Sequence, residues 1–298
     1  MRKFHFKKID AFASGHSSGN PAGAIYLNSP EELTPKEMQQ VALELKGFVS
    51  EVGYVWRIDK TTFGLKYYSS EREVEFCGHA TIAIMYDLIK NDQDLIKNDL
   101  IHIATNKGRL AVENRIKSDD AVFITAPAPV FSSRKVARNL IAEVFRINDS
   151  ELSSEYAISI VNAGLETLIV PVRKLNAVLS LTSSLEELKD FCVRHGVDII
   201  TVFSEETSNS GNRFRTRVFA PTFGYLEDPA TGSGNAALGY YLMKNGKWDG
   251  ALITLEQNGS KDNPNIVRLI AKPDDSGDTR VLFGGNAIVR IQGEYVLV

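Results

Sequence analysis

The chain has 298 residues, 43% of them hydrophobic and 24% charged, a globular mix that excludes a disordered polypeptide. Its 34 basic and 37 acidic residues leave a net charge of −3, and no basic run offers a surface for nucleic acid or a membrane. Two cysteines, Cys77 and Cys192, are too few for a disulfide framework or a zinc cluster, and no run nears the ~18 apolar residues of a membrane helix. The alternating start, Met1-Arg2-Lys3-Phe4-His5-Phe6, lacks a signal core, so the expected location is cytoplasmic. The length suits two domains of about 150 residues each.

The run from Phe4 to Phe12 reads as a strand ending in a Gly/Ser/Asn/Pro cluster. Thr34-Pro35-Lys36-Glu37 is a capping box with proline at the first helical position. Met38, Val41, Ala42 and Leu45 continue that helix until Gly47 closes it. Val49 to Trp56 and Phe63 to Tyr68 read as strands, and His79 to Ile89 as a helix apolar on nearly every side, hence buried all round. A strand meander from Ile101 to Thr125 ends at the linker Ala126-Pro127-Ala128-Pro129. A helix over Arg134 to Phe145 and strands at Ala157 to Val161 and Thr167 to Val170 follow. A second capping box, Ser184-Leu185-Glu186-Glu187, starts a helix with Leu188, Phe191, Cys192 and His195 on one face and Gly196 at its end. Strands at Ile199 to Phe203 and Arg213 to Phe219 lead to a second apolar helix, Ala236 to Met243.

Two segments 154 positions apart look alike: Cys77-Gly78-His79-Ala80-Thr81 and Thr231-Gly232-Ser233-Gly234-Asn235. Each follows a strand and acidic residues, Glu71, Glu73 and Glu75 or Glu227 and Asp228, and each opens a buried helix. Phe63 to Tyr68 before the first aligns with Phe214 to Phe219 before the second, so the chain reads as an internal duplication. Sheets wrapped around one buried helix per half fit this order, whereas a Rossmann sheet does not. Two such helix starts predict one cleft made by both halves, with amides and helix dipoles suited to a small carboxylic acid.

Several residues admit two readings. Gly19-Asn20-Pro21-Ala22-Gly23 is an ordinary turn by itself. Glu51, in the apolar run Phe48 to Val55, is either a partly desolvated general base or a strand-edge carboxylate facing water. Cys77 is a thiolate partner of His79 or a buried small residue, and His79 in a first helical turn should be neutral. In Asp228-Pro229-Ala230-Thr231-Gly232-Ser233-Gly234 either Thr231 or Ser233 would cap an ordinary helix. The five histidines show no ligand spacing, so no metal is expected.

Taken in order, Asp10-Ala11-Phe12, Gly19-Asn20-Pro21-Ala22, Ser50-Glu51, Cys77-Gly78-His79-Ala80-Thr81 and Glu227-Asp228-Pro229-Ala230-Thr231-Gly232-Ser233 resemble the PhzF-type phenazine-biosynthesis isomerase family. The resemblance implies an α+β, diaminopimelate-epimerase-like fold of two pseudo-symmetric domains, each a mostly antiparallel, barrel-like sheet around a central helix. The halves would comprise residues 1–126 with 288–298, and 127–287. It also implies an isomerase without cofactor or metal that moves a proton on a small unsaturated carboxylic acid, and a homodimer binding neither nucleic acid nor membrane. Glu51 would be the general acid/base, with His79, Asp228 and Ser233 as the other catalytic residues. Asn20, Gly78, Thr231 and Gly232 would bind substrate, the two glycine amides holding its carboxylate. Val52 departs from the family's threonine and removes a hydroxyl expected beside the base. A two-thiol racemase is disfavoured, because Thr231 stands where a second cysteine would be. A catalytically idle carboxylate-binding protein on the same fold is the alternative.

Overall fold

The alternating N-terminal run folds as β1 (Arg2–Ala11), antiparallel to β2 (Asn20–Leu27). This computed structural model describes residues 1–298. The Thr34 capping box forms in both directions, with Pro35 opening α1 (Pro35–Glu44). The helix ends at Leu45, and Gly47, at φ +81°, turns the chain beyond it. Next come β3 (Glu51–Arg57), β4 (Thr62–Ser69), β5 (Glu73–Val74), α2 (Gly78–Asn91), β6 (Leu100–Thr105), β7 (Gly108–Arg115), the single turn α3 (Ile116–Asp119) and β8 (Ala121–Thr125).

Beyond Ala126 the chain forms β9 (Val130–Phe131), α4 (Arg138–Phe145), β10 (Ser159–Asn162), β11 (Glu166–Pro171), α5 (Leu175–Ser180), α6 (Leu185–His195) and β12 (Ile199–Ser204). It continues with β13 (Phe214–Phe219), β14 (Glu227–Asp228), α7 (Gly232–Lys244), β15 (Ile253–Gln257), β16 (Asn265–Pro273), β17 (Thr279–Gly285) and β18 (Ala287–Leu297). Helix α4 starts later than its periodicity predicts, because Arg134 is used elsewhere. Its guanidinium donates to the His195 and Gly196 carbonyls at 2.8 and 2.9 Å and closes the end of α6. Helix α5 is absent from the sequence reading; its six residues are too few to show a period.

The chain divides into two compact units, Met1–Ala13 with Ser18–Thr125 and Gly284–Val298, and Ser14–Ser17 with Ala126–Phe283. Gly284 belongs to the first unit because its backbone lies against Val122, where a Cβ would overlap the Val122 carbonyl. From there β18 runs antiparallel along β1, from Ala11↔Ala287 to Arg2↔Leu297.

Both units follow one plan. In the first, β1–β2, β3–β4, β4–β5 and β6–β7 pair antiparallel, while β2–β3 and β4–β6 pair parallel. In the second, β10–β11, β12–β13, β13–β14 and β15–β16 are antiparallel and β11–β12 and β13–β15 parallel. Each parallel pair needs a crossover helix, supplied by α1 and α2 in the first unit and by α5–α6 and α7 in the second. The second helix of each set is enclosed by its own sheet: α2 packs on β1, β2, β3, β8 and β18, and α7 on β10, β11, β12 and β16. Every residue from Ala80 to Asp87 is buried, as is every residue from Gly234 to Leu242.

The other helices cover the outer faces. Met38, Val41 and Ala42 of α1 bury against Phe6, Ile25, Val52 and Tyr54. Ile141, Phe145, Leu188, Phe191 and Cys192 cover Ile160, Leu168 and Val202 in the second unit. Cys192 is fully buried, and burial pushes its thiol up to about 12, so it is core as expected. His195 is only half-buried and packs at a tilt against Phe191, with ring centroids 4.6 Å apart. No helix is long and apolar enough to cross a membrane.

Candidate active site

β3 starts at Glu51, beside Ala22 of β2 and Ser69 of β4. The Gly19-Asn20-Pro21 segment sets that start. Gly19 has φ +65°, and a Cβ there would lie 2.8 Å from the Ala11 carbonyl oxygen, so only glycine fits. Asn20 is fully buried; its side-chain oxygen accepts from Ser50 Oγ at 3.2 Å, and the Ser50 amide donates to the Pro21 carbonyl at 2.9 Å. What reads alone as an ordinary turn therefore ties down the residue preceding Glu51.

Side chains alternate along β3, so Glu51 and Gly53 share one face and Val52 takes the other. A Cβ on Gly53 would overlap Ile84 of α2, which puts Glu51 on the α2 side of the strand. Val52 is buried in the layer beneath α1. The hydroxyl of a threonine at this position would thus lie across the strand from the carboxylate. The expectation that Val52 strips a hydroxyl from beside Glu51 is corrected by this alternation.

Cys77 takes the N-cap place of α2 without capping it. The turn is held instead by Thr81, whose hydroxyl donates to the Cys77 carbonyl at 2.7 Å. That leaves Tyr67 as the donor in its 2.6 Å contact with Thr81 Oγ1, and burial raises the Tyr67 phenol so that it keeps its proton. Gly78 and His79, both half-buried, open the helix.

His79 Nε2 lies 3.2 Å from Glu51 Oε2, the two side chains being 11% and 16% exposed. On the opposite edge of the ring, Nδ1 is 3.4 Å from Cys77 Sγ. Burial pushes the imidazole down to about 4, against a weaker opposing pull from the Pro21 carbonyl, so the ring is neutral near pH 7. A neutral ring holds one proton. On Nε2 it faces the Glu51 carboxylate, and Nδ1 accepts from the thiol; on Nδ1 it leaves an Nε2 lone pair that favours a protonated Glu51. The Nε2–Oε2 contact is out of line for a full hydrogen bond, a looseness common in catalytic pairs without substrate.

Ligating atoms of Glu51, Cys77 and His79 lie within 4.8 Å of one another. Cys77 and Glu51 address opposite nitrogens of one imidazole. The three side chains form one contiguous row of proton-bearing groups. The acids ahead of α2 stay outside it: Glu71 pairs with Lys46 at 2.9 Å and Glu73 with Asn106 at 2.8 Å on the surface.

In the second unit β14 presents Glu227 and Asp228. Arg217 holds Glu227 through two hydrogen bonds of 3.0 and 2.7 Å, while Asp228 is 9% exposed. Thr231 takes the N-cap place of α7, as Cys77 does for α2. Its hydroxyl does not cap the helix; it donates to Asp228 Oδ2. Nor does Ser233 cap it: the serine lies half-buried inside the first turn. The serine or threonine cap of the ordinary-helix reading is therefore not formed: the Thr231 oxygen accepts from Gln257 Nε2 at 3.1 Å instead of from a helix amide. A Cβ on Gly232 would overlap the Phe283 ring, so the close packing there admits only glycine. Two residues without a role in the sequence reading complete the cluster, Asn235 and Gln257, both fully buried. Their only signal is, for Asn235, a polar residue interrupting an apolar helix; Gln257 ends the mixed strand Ile253-Thr254-Leu255-Glu256-Gln257 and carries none.

The chain matches the phenazine biosynthesis-like protein family (PhzC-PhzF) over residues 9–293. It is 27% identical over 307 residues to an uncharacterized isomerase of Clostridium acetobutylicum, covering 100% of this chain and 99% of the relative. It is 26% identical over 296 residues to the trans-2,3-dihydro-3-hydroxyanthranilate isomerase of Pseudomonas chlororaphis, covering 98% and 99%. A solved PhzF-family phenazine biosynthesis protein of Bacillus anthracis has the same fold, with a TM-score of 0.87 at 22% identity over 100% of both chains. Shared motifs, a duplicated fold and a match across nearly the whole length converge: the chain belongs to the phenazine biosynthesis-like protein family.

Proposed function

We propose that this isomerase moves a proton between two carbons of a small unsaturated carboxylic acid, without a cofactor, and that Glu51 is the group that carries it. The observation behind this reading is the Glu51 carboxylate 3.2 Å from a histidine that burial keeps neutral. A general acid/base must accept a proton from one carbon and return it at another, and a carboxylate beside a neutral imidazole can do both without creating an isolated buried charge. A double bond next to the donor carbon spreads the negative charge left behind, which makes such a C–H acidic enough for a carboxylate. The name of the Pseudomonas relative, a dihydro-hydroxyanthranilate isomerase, fits this substrate class.

In this reading His79 orients Glu51 and shares its proton, and Asp228 and Ser233 are the other catalytic residues. The amides of Gly78 and Gly232, with Asn20 and Thr231, serve binding. A two-thiol racemase is not favoured, since Thr231 occupies in α7 the place of Cys77 in α2 and cannot form a thiolate.

The test is incubation of the full-length protein with a panel of unsaturated small acids, including trans-2,3-dihydro-3-hydroxyanthranilate, in deuterated water. Deuterium should enter at carbon with the wild-type protein and not with Glu51→Gln. Exchange that proceeds equally in both would remove Glu51 from the mechanism.

A further inference from the structure

Gln257 is the last residue of β15, fully buried, and outside every sequence motif of the family resemblance. Its amide meets four partners. Oε1 accepts from the Thr231 amide at 2.9 Å and from Asn235 Nδ2 at 2.6 Å. Nε2 donates to the Asp228 carbonyl at 2.9 Å and to Thr231 Oγ1 at 3.1 Å. Both lone pairs and both protons are in use, and only one orientation of the amide works. Exchanging oxygen and nitrogen would set an NH2 group against two donors and an oxygen against a carbonyl.

This has a consequence for Thr231. Its oxygen already receives a proton from Gln257, so its own hydrogen goes to Asp228 Oδ2. A protonated Oδ2 would turn that hydrogen away from the acceptor it has, in a place with little water. Gln257 itself is held rigidly. Its neighbour Glu256 is fully buried in a 3.0 Å ion pair with Arg215 and accepts from the Ser208 and Asn209 amides at 2.8 Å. The other charged pair on the strands around Asp228 is Arg217 with Glu227 at 2.7 Å, and Arg217 also donates to the Val178 and Leu181 carbonyls. The Thr231 hydroxyl thus links the oriented amide of Gln257 directly to the Asp228 carboxyl.

We infer that Gln257 is a positioning residue for Asp228: through the Thr231 hydroxyl it fixes which way the carboxyl faces and keeps it in the accepting, ionised form. The inference rests on the role proposed for Asp228 and adds the residue that sets that role up.

The experiment is carboxyl-carbon NMR titration of Asp228 in full-length protein labelled at aspartate, assigned by loss of the signal in Asp228→Asn. Thr231→Val, which keeps the shape and removes the hydroxyl, should raise the Asp228 titration by about one pH unit or more. Thr231→Ser should restore it. Gln257→Met, a near-isosteric change without hydrogen-bonding atoms, should shift it in the same direction, and combining it with Thr231→Val should add little. An Asp228 titration unmoved in both Thr231→Val and Gln257→Met overturns the inference, and an unmoved titration in Thr231→Val alone overturns it if the Gln257 variant does not fold. Turnover of Asp228→Asn separates the two levels. Retained turnover with the expected titration shifts removes Asp228 from the mechanism but leaves the positioning intact. Lost turnover with unmoved titrations leaves Asp228 in the mechanism and removes Gln257.

Discussion

At the start of α2 the N-cap place holds Cys77, and at the start of α7 it holds Thr231; both are extended, with φ of −128° and −124°, and neither side chain caps its helix. The freed side chains do different work. Cys77 faces Nδ1 of a neutral imidazole whose other nitrogen faces Glu51, so a proton can reside on either side of that contact. Thr231 is fixed between Gln257 and Asp228, and its proton has one direction. In the function proposed above, one half of the duplicated fold carries a movable proton, while in the other the Thr231 proton is fixed on Asp228. Duplication supplied the same frame twice, and side-chain chemistry then separated the two copies.

The sharpest way to break this comparison is Glu51→Gln, which keeps shape and loses proton acceptance. Turnover should fall by about 10²–10⁴-fold with KM little changed. A variant that still exchanges deuterium at the wild-type rate would move the mobile proton to His79 or Asp228.

The next effect is on stability. His79 titrates near 4 in the folded chain against about 6.5 when unfolded, so between these values the unfolded chain binds more protons. Its contribution is complete above about pH 6.5 and is lost as the pH falls toward 4, by roughly 3 kcal/mol. Denaturant melts between pH 7 and 4 should show this loss, and His79→Gln should flatten it. Parallel curves for the two proteins would mean the ring is not held neutral by burial.

A smaller change tests whether Glu51 depends on the close approach of α2. Gly53→Ala sets a methyl group against Ile84 and should cost about 1–3 kcal/mol in unfolding free energy, lowering turnover because β3 and α2 carry Glu51 and His79. Full turnover in a destabilised variant would show that this pair tolerates a shift of α2.

The smallest expected effect is at Cys77. Cys77→Ala should keep turnover within about tenfold, or ~1.4 kcal/mol, since the neutral ring can place its proton on Nε2 without the thiol. Complete loss in a folded variant would make the thiol a participant.

Much of this was legible along the chain because it is local. Both capping boxes lie within four residues of sequence and form as written. The buried helices announce themselves by apolar residues on every side, and the motifs around Glu51, His79 and Asp228 by their order. The errors also have local causes. Gly19-Asn20-Pro21 looks like any turn until the Ala11 carbonyl is seen beside it, and Thr231 looks like a cap until its hydroxyl is seen on Asp228.

The sequence by itself determined the longer helices and strands and the duplication, and it singled out the candidate residues, since period, capping and composition act over one or two helical turns. Only the tertiary structure decided which face of β3 carries Glu51, that burial is what holds the imidazole neutral, and that the Gln257 amide bonds to the start of α7. Burial and hydrogen-bond direction depend on neighbours brought in from distant segments: Gln257 meets Thr231 across 26 positions of chain, and His79 meets Glu51 with β4 and β5 lying between them in sequence. No local pattern encodes such a pairing, because its energy exists only once the sheet has closed around the helix.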